Sequence, residues 1–215
     1  MSRTLLKRLL HWLDHTLRID SYRWLGRSRR TAQVSSACVD PEAFETLRRR
    51  AQGVIPPEGP LQLHLGCGTV RRPGFVNIDH RPTSATDLEC DILRLPFDDA
   101  TVDRIETYHV IEHLGRHDVP QALREWHRVL KPGGTLVIEC PDFDGAVRDY
   151  LAGDESRIDN IFGLQRFDGD THRFGYNVGR LTRLLSEAGF SQITPAEPQD
   201  YHKDLEPCLR IEARR

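Results

Sequence analysis

The stretch LHLGCGTVRRPGFVNIDH, residues 63 to 80, constrains the fold more than any other part of the chain. An apolar segment runs into two closely spaced glycines, Gly66 and Gly68, and a second apolar segment closing on Asp79 follows almost at once. Strand, glycine turn and strand, with more strands and helices alternating downstream, imply an α/β domain built on a mostly parallel sheet. In such sheets ligands bind beyond the carboxyl ends of the strands, where the strand order reverses. Gly66 and Gly68 stand at that end, where a missing side chain lets the backbone approach a ligand closely.

Spacing narrows the ligand. Asp79, closing the second strand, is placed to accept hydrogen bonds from two ribose hydroxyls, which points to a nucleoside-containing cofactor. A dinucleotide fingerprint needs a third glycine where Arg71 stands and an acid about 20 residues on. Asp79 lies only eleven positions after Gly68. The connection 66–74 is also too short for a full crossover helix whose N-terminus would hold a pyrophosphate. NAD and FAD are therefore disfavoured, and a nucleoside without phosphates is favoured.

The periodicity predicts strands at 61–65, 75–79, 86–90, 103–108 and 135–140, a short one near 190–194 and a last one in EPCLRIEARR. VPQALREWHRVL reads as a helix with Ala122, Leu123, Trp126, Val129 and Leu130 on one face, stopped by KPGG. Asn177 can cap a second helix, VGRLTRLLSEAG, and one more is expected near 41–51. The domain expected from these signals covers 61–215, with 1–60 as a basic amphipathic extension and connector.

Charge supports that division. Residues 1–50 hold 11 Lys/Arg against 5 Asp/Glu, and the rest of the chain holds 19 against 27. A nucleic-acid surface would need a basic core, so nucleic acid is disfavoured as a partner. Residues 3–18 place leucines four apart opposite Lys7, Arg8 and Arg18. This basic amphipathic helix is expected to dock on the main domain or on a second copy in a homodimer, with peripheral membrane contact as the alternative. Five scattered cysteines, Cys38, Cys67, Cys90, Cys140 and Cys208, form no zinc or disulfide spacing and suit a reducing cytoplasm. No apolar run reaches the roughly 20 residues needed to span a bilayer.

The ordered series LHLGCGTV, VNID, CDILRLPFDDATVDRIETYHVIEHL and LREWHRVLKPGGTLVIECPD resembles class I S-adenosylmethionine-dependent methyltransferases, particularly the type 11 group, over roughly residues 61–215. The resemblance implies a Rossmann-like doubly wound sheet of seven strands in the order 3-2-1-4-5-7-6, with the seventh antiparallel. It also implies that Gly66, Cys67 and Gly68 line the methionine moiety, that Asp79 binds the ribose and that Asp91 and Ile92 meet the adenine. His109 would sit near the sulfonium and the acceptor. Two positions depart from the pattern. His64 replaces the usual acid two residues before the first glycine, and Val70 replaces a small residue. A neutral His64 can still accept from the cofactor's amino group, though more weakly than a carboxylate.

Methyl transfer from a sulfonium is an in-line displacement, so alignment supplies most of the catalysis, and a hydroxyl acceptor also needs a base of near-neutral pKa. Histidine is the natural candidate. His109 and His113 are read as lying on a short helix after the fourth strand, where a packing role competes with a catalytic one. His172 belongs to the glycine-rich aromatic stretch RFDGDTHRFGYNVGRL, which in this family covers the acceptor, and a surface role competes there. Asp142, after the fifth strand, orients an acceptor or a histidine unless it only opens a turn. HVIEH matches an inverted zinc-peptidase pattern, but its helix is short and follows a buried strand. By analogy with some methyltransferases of this fold, a divalent ion at His109, Glu112 and His113 stays open, against Glu112 salt-bridging the helix. No metal ligand is assigned. The expected acceptor is a small molecule or glycan, with a sugar or glycolipid hydroxyl first and, by analogy, bacterial cell-surface glycan pathways as the setting. The rival reading is a noncatalytic cofactor-binding or assembly protein.

Overall fold

The computed structural model describes residues 40–56 and 58–215. The amphipathic segment 3–18 lies outside the described residues. Helix α1 (Pro41–Gln52) starts where the Asp40 carboxylate accepts from the Glu42 N–H and Pro41 fills a first-turn position that needs no donor. It contributes the buried Ala51 to the same hydrophobic core as the sheet.

Seven strands follow: β1 (Gln62–Leu65), β2 (Val76–Asp79), β3 (Leu88–Glu89), β4 (Val102–Tyr108), β5 (Leu130–Pro141), β6 (Ser191–Ala196) and β7 (Cys208–Arg214). Their order is β3-β2-β1-β4-β5-β7-β6, and β7 runs antiparallel to both its neighbours, the topology that the resemblance implied. β5 begins directly after its helix instead of at 135. The KPGG stretch read as a plain stop forms an irregular start to the strand, with a register shift opposite Val102–Arg104 and Gly133 at φ +78°.

Helix α2 (Val119–Val129) buries Val119, Ala122, Leu123, Trp126 and Val129. Between β5 and β6 lie α3 (Phe143–Leu151), α4 (Arg157–Phe162) and α5 (Val178–Glu187). Asn177 caps α5 as expected, its side chain accepting from the Arg180 N–H at 2.8 Å. α3 and α4 went unread in the sequence. A further correction concerns His109 and His113: only Ile111–His113 is helical, as a single 3-10 turn, and His109 precedes it at φ +53°. The two histidines therefore do not share a helical face.

The two faces of the sheet differ. One carries Leu63, Leu65, Ile78, Ile105, Leu136 and Ile138, all fully buried. Register places His64 beside Asn77 and Glu106, and Tyr108 beside Glu139 and then Arg210, on the other face. These polar residues are buried too, and they are satisfied by one another. His64 meets Asn77, Tyr108 donates to Glu106 at 2.8 Å, and Arg210 pairs with Glu139 at 3.3 Å. Burial of such groups is tolerable only when they are paired in this way.

Trp126 ties the core to the ligand end, since its Nε1 donates to the Ile92 carbonyl at 3.0 Å from a fully buried ring. Replacing it with Ala is expected to cost about 3–5 kcal/mol of unfolding free energy through the cavity left behind. Trp126→Phe keeps most of the ring but strands that carbonyl, for about 1–3 kcal/mol. Denaturant titration of both variants checks the ranking. A loss from Phe as large as that from Ala would mean that the hydrogen bond, not the packing, dominates.

Candidate functional site

The turn after β1 is shaped by its glycines. Gly66 has φ +67°, and a Cβ there would stand 2.3 Å from the Val110 Cγ2. Gly68 has φ +52°, but a Cβ there would meet nothing within 4 Å. The first glycine is thus required by the protein's own packing, and the second faces open space. The buried Asp79 carboxylate accepts from the Gly68 N–H at 2.8 Å and the Arg81 N–H at 3.0 Å, with His80 Nδ1 at 3.2 Å. Burial pushes its pKa up, and these donors override that and hold it below the usual carboxylate value. Cys67 is buried beside Thr86, and burial raises its thiol to about 11, so it lines the turn as a neutral group.

His64 is held by Asn77. The Asn77 amide nitrogen faces the carbonyls of Arg72 and Phe75 and the Asp87 carboxylate, at 3.0–3.2 Å. Its oxygen, which also accepts from the Arg72 N–H at 2.8 Å, therefore faces His64 Nδ1 at 3.1 Å. That puts the proton on Nδ1 and the lone pair on Nε2. Burial keeps the ring's pKa low, so the neutral form prevails. Further along, the Asp91 carboxylate accepts from the Leu93 N–H at 2.9 Å in an exposed turn, and Ile92 is buried next to it.

A second cluster gathers past β4 and β5. His109 Nδ1 lies 3.4 Å from both Glu112 Oε1 and Glu206 Oε1, its ring stacks on His202 at 3.8 Å, and Nε2 is 3.7 Å from Cys208 Sγ. Burial works against the imidazolium, but the two carboxylates outweigh it and raise the His109 pKa. Burial lifts Glu206 to about 7. Glu112, which burial alone would also lift, is held down to about 2 by His109 beside it. His113 and His172 meet edge to face at 4.9 Å. Their Nδ1 atoms lie 3.2 Å from the Thr171 carbonyl and 2.8 Å from the Asn160 carbonyl. Asp142 opens α3, forms a parallel bridge with Tyr176, and makes no side-chain cap.

His109, His113 and His172 are thus gathered around Glu112, and Gly66, Cys67, Gly68 and Asp79 form one corner. His64 lies on the sheet's polar face among Asn77, Glu106 and Tyr108. Reasoning from sequence missed Asp200, His202 and Glu206, from the loop before β7. The signal was available: a strand antiparallel to the rest begins at the end where the parallel strands finish. QDYHKDLEPC therefore falls at the ligand end. Segment 163–176 joins the two corners. The Arg81 guanidinium lies over Phe167 at 4.3 Å, two residues beyond Asp79 in sequence, while His172 reaches the Glu112 cluster. An ion pair between Arg166 and Asp170, at 2.8 Å, holds the segment folded.

Among the described residues, no helix is long and apolar enough to cross a membrane. The family profile described as a methyltransferase domain matches residues 23–138, just over half of the chain. An uncharacterised 37.1 kDa protein of a Streptomyces fradiae transposon is 37% identical over 56% of this chain and 33% of its own length. A probable S-adenosylmethionine-dependent methyltransferase of Mycolicibacterium smegmatis is 33% identical over 46% of this chain and 33% of its own. The chain thus spans about a third of the length of these relatives. The demethylmenaquinone methyltransferase of Thermobifida fusca is 28% identical over 79% of this chain and 78% of its own. Among solved structures, a SAM-dependent methyltransferase from Archaeoglobus fulgidus has a TM-score of 0.51 at 14% identity, covering 80% of this chain and 94% of its own. With the seven-strand order, the glycine turn and the family match agreeing, the chain belongs to the methyltransferase domain family, whose cofactor is S-adenosylmethionine.

Proposed function

We propose that the chain transfers the methyl group of S-adenosylmethionine to the polar head of a small acceptor that also carries an apolar portion. The observation that carries this reading is segment 163–176, which touches both the Asp79 corner and the Glu112 cluster and so spans donor and acceptor positions at once. Gly66, Cys67 and Gly68 take the methionine moiety, Asp79 the ribose, and Asp91 with Ile92 the adenine. His64 Nε2 is the acceptor for the cofactor's amino group. His109 is the base: Glu112 and Glu206 orient its Nδ1, leaving Nε2 to take the acceptor's proton. Asp142 and His172 border the acceptor side and position it, and His113 supports His172.

The apolar portion of the acceptor is supported by exposed Phe143, Leu151, Ile158, Phe162, Leu164 and Phe167, all contributed by α3, α4 and the segment after them. Two acceptor classes share this chemistry: a glycolipid bearing a sugar hydroxyl, and a quinol with an isoprenoid tail of the kind the Thermobifida relative is named for. The basic segment 3–18 fits an acceptor held at a membrane surface.

Calorimetric titration with S-adenosylmethionine, S-adenosylhomocysteine and NAD, followed by methyl transfer assays with both acceptor classes, tests the proposal. Micromolar binding of the first two and no response to NAD is the expected result. Turnover with one class chooses the acceptor. Binding without turnover on any tailed acceptor would favour the noncatalytic reading, and no binding would overturn the cofactor site.

A further inference from the structure

Glu112 is 2% exposed, and neither of its carboxylate oxygens receives a well-formed hydrogen bond. His109 Nδ1, 3.4 Å away, is near enough for charge attraction but is shared with Glu206 at the same distance. A buried carboxylate whose one ionic partner is an imidazole shared with a second carboxylate, and which receives no hydrogen bond, is costly and calls for an explanation. The groups facing it supply one. One ligand atom each from Glu112, His113 and His172 lie within 4.8 Å of one another.

The histidines are arranged as ligands are. Each has a backbone carbonyl beside Nδ1, Thr171 for His113 and Asn160 for His172, so each donates from that nitrogen and keeps its lone pair on Nε2. Imidazoles that hold metals almost always give their other N–H to such an oxygen, which fixes the tautomer and orients the ring. Two neutral imidazoles and one carboxylate form a donor set for a borderline divalent ion such as Zn²⁺, not for Ca²⁺ or Mg²⁺.

We propose that Glu112, His113 and His172 bind a divalent transition-metal ion, with Zn²⁺ as the best-matched species. The site differs from the sequence-level alternative, which used His109: that residue belongs with Glu206 and Cys208 or with Asp200 and His202, and His172 takes its place. Glu112 and His172 also line a narrow crevice with Phe143, Asn160 and Tyr176, whose buried hydroxyl has no partner either. A three-ligand ion there keeps a coordination position open toward the crevice. The inference does not depend on methyl transfer, since metal content is measured without substrate.

The test uses the full chain, stripped with chelator and dialysed, then titrated with Zn²⁺ and, for its absorption spectrum, with Co²⁺. About one equivalent of Zn²⁺ retained through desalting is expected, with a visible Co²⁺ band that Zn²⁺ bleaches. His113→Ala and His172→Ala should each weaken binding at least 10-fold, and Glu112→Gln should abolish it, while His127→Ala changes nothing. Circular dichroism and S-adenosylmethionine affinity report whether each variant is folded. Loss of metal from a folded His113→Ala variant supports the site even if Glu112→Gln does not fold. Wild-type protein that retains no Zn²⁺, or folded histidine variants with unchanged affinity, would overturn it.

Discussion

Asp79→Ala is expected to reduce S-adenosylmethionine affinity by roughly 100-fold or more. A hydrogen bond to a charged group contributes about 1.5–3 kcal/mol, and two ribose hydroxyls on one carboxylate would lose both. The substitution also removes the acceptor for the Gly68 and Arg81 N–H groups, so the glycine turn itself loosens. Two measurements separate the effects. Calorimetry reads the affinity, and Asp79→Asn, which keeps one oxygen and the side chain's shape, should fall between wild type and Ala in both affinity and melting temperature. Full affinity in a folded Asp79→Ala protein would remove the ribose assignment.

The two glycines of the turn are expected to fail in different ways. Gly66→Ala places a Cβ against Val110 at a positive φ, combining an overpacking cost of about 1–3 kcal/mol with about 1–2 kcal/mol of backbone strain. At about 2–4 °C per kcal/mol for a chain of this size, the melting temperature should drop by about 4–20 °C. Val110→Ala in the same chain relieves the clash but not the strain, so it should recover part of the loss. Gly68→Ala carries the strain alone and should melt only a few degrees lower, yet bind the cofactor at least 10-fold more weakly because its new methyl enters the open space. Equal melting losses at both positions would contradict the packing difference between them.

How much of this was legible in the sequence follows from the range of the interactions involved. The strand positions could be read because each motif marks a strand end locally: glycines after β1, Asp79 closing β2, KPGG before the regular part of β5; their order came from the resemblance. The Glu112 cluster could not, because His172 and Glu206 reach it from 60 and 94 positions away along the chain, and no local pattern records such a meeting. α3 and α4 were missed for a related reason. Both are short and expose apolar side chains such as Leu151 and Phe162, so neither carries a clean amphipathic stripe. The polar sheet face was visible all along in the alternation of DRIETY and RIEAR. Parallel strands buried on both faces usually read as continuous apolar runs, and this sheet departs from that because the polar side chains of its second face pair with one another.

The position of β7 bears on how the chain is made. It is the last of the seven strands to be synthesised, yet it lies in the interior of the sheet, between β5 and β6. Until it emerges, β5 has an open edge along Thr135–Pro141 and β6 has no described neighbour to pair with. Newly synthesised chains therefore expose two sticky edges until β7 is made, and closing them requires pairings between segments far apart along the chain. Slow elongation through 208–214, or loss of a few of those residues, would lengthen that exposure and favour aggregation over completion of the sheet.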